Sequence, residues 1–310
     1  MTSQTSPTNP NATVRFLRKA YNPLGFSKGY NALLWFILAG AMTGFCLARA
    51  PYWAINTFFR ENSGPGEWYY YSQKFYKVGI TVHLASVIPA GLLAVLQFTP
   101  IVRRKWTLFH RMNGYTVALL VLLGNISALM IARHAFGGTL ATQAFVGFLA
   151  IITTISLALA IFNIKRLQIE QHRACMLRLW AYLGSIITIR IIMVLTAIIV
   201  GRIGGYFIAI KCSQLAFAAG ADAAAEFTAC AADPGAWAAV EANLYDPKGF
   251  AEVIAAFQIS FGMAGWVALA IHAVAVEVYL GLTPAEGERL RKLSYERRLE
   301  RGLCAEKEES

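Results

Sequence analysis

The stretch AFVGFLAIITTISLALAIFNI, residues 144 to 164, contains no charged side chain. A helix of about 20 residues crosses the roughly 30 Å of hydrocarbon in a bilayer, because each residue adds about 1.5 Å. The stretch therefore predicts a membrane-spanning helix. Five further apolar runs of similar length predict an all-α polytopic membrane helix bundle of six transmembrane helices. With the quoted run, the predicted spans are roughly 30 to 48, 78 to 99, 113 to 133, 144 to 164, 176 to 201 and 258 to 281.

The composition agrees with lipid as the main solvent of this chain. Of its 310 residues, 57% are apolar and only 15% are charged, with a mean hydropathy of +0.49. About a quarter of the residues in soluble domains are charged. The formal net charge of +11 does not indicate nucleic acid as a partner, because the basic residues form short clusters between apolar runs rather than one continuous face.

The basic clusters predict the orientation of the spans. If the N-terminus is cytoplasmic, that side carries 19 Lys and Arg: four in the N-terminal tail, four in 103 to 111, four in 165 to 178 and seven after 283. The other side carries 8. This excess follows the positive-inside rule, so both termini are predicted to be cytoplasmic. We see no cleavable signal peptide at the start of the chain and expect an integral protein of the endoplasmic reticulum or another endomembrane.

The spans divide the chain into five predicted parts. They are a cytoplasmic N-terminal tail (1–29), a five-helix core (30–201), a long outer loop (202–257), a sixth helix (258–281) and a basic amphipathic cytoplasmic tail (282–310). The tail is expected to lie on the anionic leaflet, and a solvated helical tail is the alternative. In the outer loop, Cys212 and Cys230 face an oxidising compartment, which predicts a disulfide, whereas Cys304 lies on the reducing side. Two unpaired thiols are the alternative.

Polar side chains inside the predicted spans indicate a pocket in the outer half of the bilayer. At 1.5 Å per residue, His83 lies roughly 8 Å deep, Asn125 about 12 Å, Thr153 about 14 Å and Arg190 about 16 Å. A charged side chain in hydrocarbon costs about 3 kcal/mol, so Arg190 is expected to face the bundle interior and to have a partner. The alternative is that these groups only join helices through hydrogen bonds.

A second set of polar residues lies at the predicted cytoplasmic edge. His110 and Arg111 open the third span, and His172 and Arg173 open the fifth. Basic residues at this edge are also ordinary interfacial anchors. The sequence has no P-loop, no G-x-G-x-x-G after a strand, no H-E-x-x-H, no C-x-x-C and no acidic pair suited to magnesium diphosphate. Chemistry of the soluble-enzyme type is therefore not expected, and no metal site is predicted.

Four motifs follow one another between about 80 and 195. They are VHLASVIPAGLLAVLQF from Val82, HRMNGY from His110, NIKRLQIEQHRACMLR from Asn163 and ITIRIIM around Arg190. Together they resemble a family of predicted membrane proteins that is catalogued as a domain of unknown function, although Cys175 stands where that family usually has Trp. Fungal members of this type are similar to the membrane-bound terpene cyclases of the ascofuranone and ascochlorin pathways. The resemblance implies an isomerase of secondary (meroterpenoid) metabolism that closes an epoxidised prenyl chain without a diphosphate leaving group.

Such a reaction requires an acid in a dry pocket, a site for oxygen atoms and aromatic faces that stabilise positive charge. The candidate acids are His83 and Glu67, and the candidate oxygen-binding residues are Arg190, Asn125 and Gln97. The expected substrate is a hydrophobic small molecule, a prenylated aromatic compound that partitions from the bilayer, and no cofactor is required.

A b-type haem cytochrome is the alternative function. Membrane helix bundles bind haem between two histidines at matched depth. His110 and His172 would then be the axial ligands, with Arg111 and Arg173 at the propionates. A transporter, a scaffold or a metal-dependent hydroxylase are further alternatives.

Overall fold

The structure is a computed structural model that describes residues 12 to 303. The first eleven residues of the predicted N-terminal tail and the stretch that begins with Cys304 lie outside the described residues. Six helices in the described range are long and apolar enough to cross a membrane, which confirms an all-α polytopic membrane bundle. The side on which each terminus lies stays a prediction. The helices are α2 (Gly29–Arg49), α5 (Lys74–Gln97), α7 (Thr107–Ile131), α8 (Leu140–Lys165), α9 (Ile169–Ile203) and α13 (Phe250–Gly281).

Several of these helices extend beyond the predicted spans. The helix α9 contains 35 residues and begins seven residues before the predicted start at 176, and α13 begins at Phe250 instead of 258. Hydropathy locates the apolar middle of a helix, whereas the backbone hydrogen bonds continue through the polar residues at its ends. At about 1.5 Å per residue, α9 is roughly 50 Å long, so its ends extend past the hydrocarbon.

Short helices and one strand pair form the connections. Besides α-helices they include 3-10 turns at Asn22–Leu24, Ala50–Trp53 and Ala135–Gly138 and a π-helical turn at Ile55–Phe59. The remaining elements are α1 (Ala12–Tyr21), α3 (Arg60–Asn62), α4 (Trp68–Tyr71), α6 (Pro100–Lys105), β1 (Phe207–Lys211), α10 (Cys212–Ala219), α11 (Ala221–Ala225), α12 (Thr228–Ala232), β2 (Trp237–Glu241) and α14 (Pro284–Leu299).

The segment predicted as a long outer loop is folded. Strands β1 and β2 pair antiparallel, with Phe207 opposite Glu241. The predicted disulfide between Cys212 and Cys230 is confirmed.

A small apolar core joins this segment to the first turns of α13. The side chains of Ile210, Val240 and Ile254 are almost completely buried in it. These first turns are therefore covered by protein, and the sixth helix begins about two turns before its predicted start.

The described chain divides into two compact units. The first unit contains the described residues up to Pro51 together with Ala85–Val121, and the second contains Tyr52–Leu84 and the described residues from Leu122 onwards. Helices α5 and α7 each contribute to both units.

In the first unit, α2 packs closely against α5 at Gly91. A Cβ atom at this position would lie 2.5 Å from Sγ of Cys46 and 3.0 Å from Sδ of Met42. Glycine permits this close approach of two helices, as small residues commonly do in membranes.

In the second unit, α9 packs against both α8 and α13. The helices α8 and α13 approach each other at Gly262 and Gly265. A Cβ atom at Gly262 would lie 2.6 Å from the backbone nitrogen of Thr142, and one at Gly265 would lie 2.7 Å from the ring of Phe145. Van der Waals packing between close backbones stabilises these three helices against one another.

The C-terminal helix α14 lies against the start of α9. Leu290 is buried, and the hydroxyl of Ser294 accepts a hydrogen bond of 2.9 Å from the backbone N–H of Ile169. Arg291 forms two hydrogen bonds, of 2.8 and 3.0 Å, with the carboxylate of Glu170. These contacts hold the helix on the protein, and its predicted contact with the anionic leaflet stays a prediction.

Candidate functional site

Glu67 lies at the centre of a buried polar site in the second unit. Its side chain is only 7% exposed. One carboxylate oxygen accepts a hydrogen bond of 2.9 Å from the N–H of Gly64. The other accepts a hydrogen bond of 3.1 Å from the N–H of Phe136 and one of 3.4 Å from the hydroxyl of Tyr71. The carboxyl group is therefore fixed by donors from two loops that are far apart in the sequence.

Burial raises the pKa of Glu67 above its usual value, and this effect outweighs the opposing effects of the N–H donors and of the positive charge of Arg190. The pKa of Tyr71 is raised well above its usual value, first by burial and then by the neighbouring Glu67. Glu67 therefore retains its proton to a higher pH than a solvated glutamate does.

The guanidinium group of Arg190 lies over two stacked aromatic rings. The rings of Phe136 and Phe261 are 4.4 Å apart and almost parallel, at 9°. The central carbon of the guanidinium lies 5.1 Å from the centroid of Phe136 and 5.7 Å from that of Phe261. A cation over an aromatic face is stabilised by the ring quadrupole. Arg190 thus faces protein, within electrostatic range of Glu67, as its predicted position inside the bundle requires. We call these two residues with Tyr71, Phe136 and Phe261 the Glu67–Arg190 site.

The turn before α8 supplies Phe136 to this site. Phe136, Gly137 and Gly138 all have positive φ, at 45°, 76° and 57°. Positive φ is uncommon for a bulky residue and costs free energy, which the surrounding structure must offset. The stacked ring and the hydrogen bond to Glu67 offset it here.

His83 lies beside this site and is hydrogen-bonded elsewhere. Its Nδ1 lies 3.2 Å from the carbonyl oxygen of Gly124 and 3.5 Å from the hydroxyl of Ser127. It interacts electrostatically with Arg190. His83 is therefore a neighbour of the charged pair, held in place by α7.

Asn125 forms hydrogen bonds between α7 and α8. Its Nδ2 donates to the hydroxyls of Thr153 and Thr154, both at 3.0 Å, and to the carbonyl oxygen of Ala150 at 3.4 Å. The structure thus brings together Asn125 and Thr153, which were predicted at similar depth. This geometry joins two helices, and the role of Asn125 toward a substrate stays a prediction.

Gln97 belongs to the first unit, in a polar cluster of its own. Asn113 of the HRMNGY motif donates hydrogen bonds to the carbonyl oxygen of Leu93 at 3.0 Å and to the side chain of Gln97 at 2.8 Å. Nε2 of Gln97 lies 3.4 Å from Nε2 of His110. Arg111 is exposed. The buried Asn113 is a polar residue of this cluster that sequence reasoning did not select.

The histidine and arginine predicted at the start of the fifth span lie in the second unit. Nδ1 of His172 is 2.8 Å from the carbonyl oxygen of Ala160. Arg173 lies over the ring of Tyr279, 5.7 Å from its centroid, and donates a hydrogen bond of 3.5 Å to the hydroxyl. His110 and His172 belong to different units. The haem alternative, in which both would bind one haem, stays a prediction. No group of three or more His, Cys, Asp or Glu suited to a metal ion occurs in the described part of the chain.

An aromatic cluster surrounds His134, at the end of α7. Its ring stacks on that of Tyr70 at 3.8 Å, and its Nε2 lies 3.0 Å from the hydroxyl of Tyr76. Burial, with the charge of Arg133, lowers the pKa of His134 to about 4. His134 is therefore neutral at physiological pH. It is not a candidate proton donor.

Residues other than Glu67 and Arg190 line two cavities of the second unit. The first, of about 340 Å³, lies between α9, α13 and α14 and is lined by both charged and apolar side chains. The second, of about 320 Å³, is an apolar groove lined by Phe148, Ile152, Tyr182, Trp266, Leu269, Ala270 and Ala273. Several of these residues pack in the same apolar cluster as Phe261 and Phe136. A hydrocarbon chain in this groove would therefore lie next to the side chains that support the Glu67–Arg190 site.

Sequence reasoning selected Glu67, His83 and Arg190 but missed the aromatic pair. It also missed Gln258, a buried amide of α13 whose side chain lies against the turn at Gly137. The Gly-Gly step after Phe136 is a signal for an unusual turn. Gln258 is the one amide in the long apolar run of α13. An isolated amide in a predicted span is expected to face protein and to have a function or a partner.

Residues 80–217 match the family described as "Predicted membrane protein (DUF2306)". This confirms the family resemblance predicted from the four motifs. The chain is also 26% identical over 321 residues to "Ava biosynthesis cluster protein G" of Aspergillus versicolor, in an alignment that covers 86% of this chain and 93% of that protein. No solved structure matches the chain. The chain is thus an integral multi-pass membrane protein with a homologue from a fungal biosynthesis cluster.

Proposed function

We propose that this chain is an intramembrane enzyme of secondary metabolism, a terpene cyclase that closes an epoxidised prenyl chain carried by an aromatic head. The name of the fungal relative supports a biosynthetic role. The observation that carries the proposal is the carboxyl group of Glu67, which is almost fully buried and has a raised pKa. General acid catalysis requires a protonated acid in a site from which water is excluded.

In the proposed reaction, Glu67 donates its proton to the epoxide oxygen. The carbon–oxygen bond breaks, and the electron pair of a neighbouring alkene forms the new carbon–carbon bond. The positive charge moves along the chain as each ring closes. The final cation loses one proton, which restores the acid, so that substrate and product are isomers. The reaction needs no cofactor.

The other residues of the site have proposed roles that follow from their chemistry. Arg190 binds an oxygen atom of the aromatic head through its N–H groups and opposes protonation of any neighbouring base. The ring of Phe59 packs against those of Tyr71 at 5.6 Å and Trp68 at 6.1 Å, next to Glu67. These aromatic faces stabilise a passing carbocation.

The apolar groove on α8, α9 and α13 is proposed to hold the prenyl tail. Its lining is almost entirely apolar, so a prenyl chain that moves into it from the bilayer does not bury an unpaired polar group. The groove adjoins the cluster that supports Phe261 and Phe136. A substrate whose tail lies in this groove would then have the rest of its chain close to the acid.

The test compares Glu67→Gln with Glu61→Gln, a matched change at an exposed glutamate nearby. Membranes that carry each protein are incubated with a panel of epoxidised prenyl phenols, and cyclic isomers are measured by mass spectrometry and chromatography. We expect conversion by the wild type and by Glu61→Gln. We expect Glu67→Gln to lose at least about 100-fold in rate, as typical for removal of a general acid.

Thermal unfolding in detergent verifies that each variant is folded. Substrates that remain unchanged by folded wild-type protein across the panel would contradict the proposed function. Full activity of a folded Glu67→Gln variant would contradict the assignment of the acid.

A further inference from the structure

Gln258 is a buried amide without a hydrogen-bond partner for its donor group. The side chain is only 2% exposed. Its Nε2 has no acceptor among the residues that the structure describes. A buried donor that is left unpaired costs free energy, and native proteins seldom retain one without a reason. The two N–H groups of this amide are therefore available to a bound molecule.

The amide lies next to the turn that forms part of the Glu67–Arg190 site. A Cβ atom on Gly137 would lie 2.6 Å from the carboxamide carbon of Gln258. Gly137 directly follows Phe136, whose N–H binds Glu67. The amide and the acid thus both adjoin the turn Ala135–Gly138.

Helix geometry places Gln258 on the face of α13 that builds the site. Ile254 lies four residues before it and Phe261 three residues after it, so the three side chains share one face. Ile254 would lie 3.2 Å from a Cβ atom on Gly66, the neighbour of Glu67, and Phe261 stacks on Phe136. The residues on either side of Gln258 both contact loops of the site.

We propose that the Gln258 amide donates a hydrogen bond to a neutral oxygen atom of the substrate, beside the acid. This inference rests on the proposed function, because it takes the Glu67–Arg190 site as the place where the substrate binds. A carboxamide donates to an ether, epoxide or carbonyl oxygen, and it carries no charge that would attract a phosphate or carboxylate. Combined with the proposed function, this makes the ligand a lipid-soluble molecule with an uncharged oxygen acceptor on its prenyl chain.

The experiment measures binding separately from turnover. Binding of a farnesyl phenol with a terminal epoxide, and of the same farnesyl phenol without the epoxide, is measured by thermal shift in detergent. The proteins are the wild type, Gln258→Met and Ser260→Ala, each also in combination with Glu67→Gln to prevent conversion. Methionine matches glutamine in length and removes the amide. Ser260 is the matched control, because its hydroxyl is equally buried and lacks a partner in the described chain but lies on another face of α13.

We expect the wild type and Ser260→Ala to bind the epoxide about fivefold more tightly than the alkene, as a single neutral hydrogen bond provides. We expect Gln258→Met to lose about fivefold in affinity for the epoxide, to bind the alkene as the wild type does, and to retain or increase its thermal stability. An unchanged preference for the epoxide in Gln258→Met, or no binding of either compound to the wild type, would overturn the inference.

The outcomes separate this inference from the proposed function. If the preference for the epoxide depends on Gln258 but the wild type forms no cyclic product, the binding site is supported and the cyclase is contradicted. If the wild type cyclises the substrate and Gln258→Met has unchanged binding and KM, the cyclase is supported and the role of Gln258 is contradicted.

Discussion

The carboxyl group of Glu67 experiences two opposing influences on its pKa. Loss of water favours the neutral acid, whereas the N–H groups of Gly64 and Phe136 and the charge of Arg190 favour the carboxylate. The first influence is larger, so the acid is protonated over a wider pH range than in water. The donors that oppose it also orient the group. The site thereby combines a raised pKa with a fixed orientation of the carboxyl group.

We expect the rate of cyclisation to fall as pH rises through the raised pKa of Glu67, because only the protonated form donates. The same shift affects stability. The folded-state pKa lies above the unfolded value of about 4.5, so stability that is present below 4.5 is lost as pH rises through the folded pKa. The Tm of wild type and Glu67→Gln is measured against pH. A difference between the two that does not change with pH in this window would contradict the assigned shift.

Among the residues of the Glu67–Arg190 site, the sequence indicated the charged ones and not the aromatic ones. Arg190 was selected because a charge in hydrocarbon has few alternatives to a functional role. Glu67 was selected because the reaction implied by the family resemblance requires an acid, and this residue can reach in from the predicted outer loop. Phe136 and Phe261 were missed because aromatic residues are common in spans and belts, and their contact joins positions 125 residues apart. Only the folded chain reveals which of many aromatic rings meet.

The turn Ala135–Gly138 is the element on which the geometry of the site depends. It presents the N–H of Phe136 to Glu67 and the ring of Phe136 to Phe261 and Arg190. At Gly137 it also adjoins the Gln258 amide, in a backbone conformation that favours glycine. A side chain at this position would meet both a steric and a conformational obstacle.

We expect Gly137→Ala to destabilise the folded protein by about 1–3 kcal/mol, because φ is positive there and the added methyl group would collide with Gln258. Gly147→Ala, in α8, is the control. A Cβ atom there meets nothing within 4 Å, so this change should be neutral or slightly stabilising. Thermal unfolding in detergent measures both. Equal stability of the two variants would contradict the constraint at residue 137.

The sequence predicted those secondary-structure elements that are determined by a single physical property. Apolar runs located all six spans, because crossing the bilayer requires length and hydrophobicity together. The bounds of α9 and α13 were less accurate, since the helices continue into polar or protein-covered segments. The paired strands of the segment after α9 were not predicted, because Ala-rich sequence has no period that separates strand from helix.

For the whole molecule, haem is the decisive alternative to the cyclase. His110 and His172 belong to different units, and each has a ring nitrogen next to a polar group of its own unit. We expect purified protein to show no Soret band in its absorbance spectrum, because the proposed reaction uses only side chains. A Soret band that disappears in His172→Ala would favour electron transfer over cyclisation.

Because the acid is oriented mainly by main-chain N–H groups, side chains around it have freedom to change. The N–H at position 136 belongs to the main chain, so a residue that tolerates the positive φ there, such as glycine or asparagine, would still supply it to Glu67. Under the proposed function, a relative with such a replacement would have a differently shaped space beside the acid, and so a different product, while the main-chain donor to Glu67 is kept. In such relatives, different ring systems would form because the side chains around the substrate differ while the proton donor is the same.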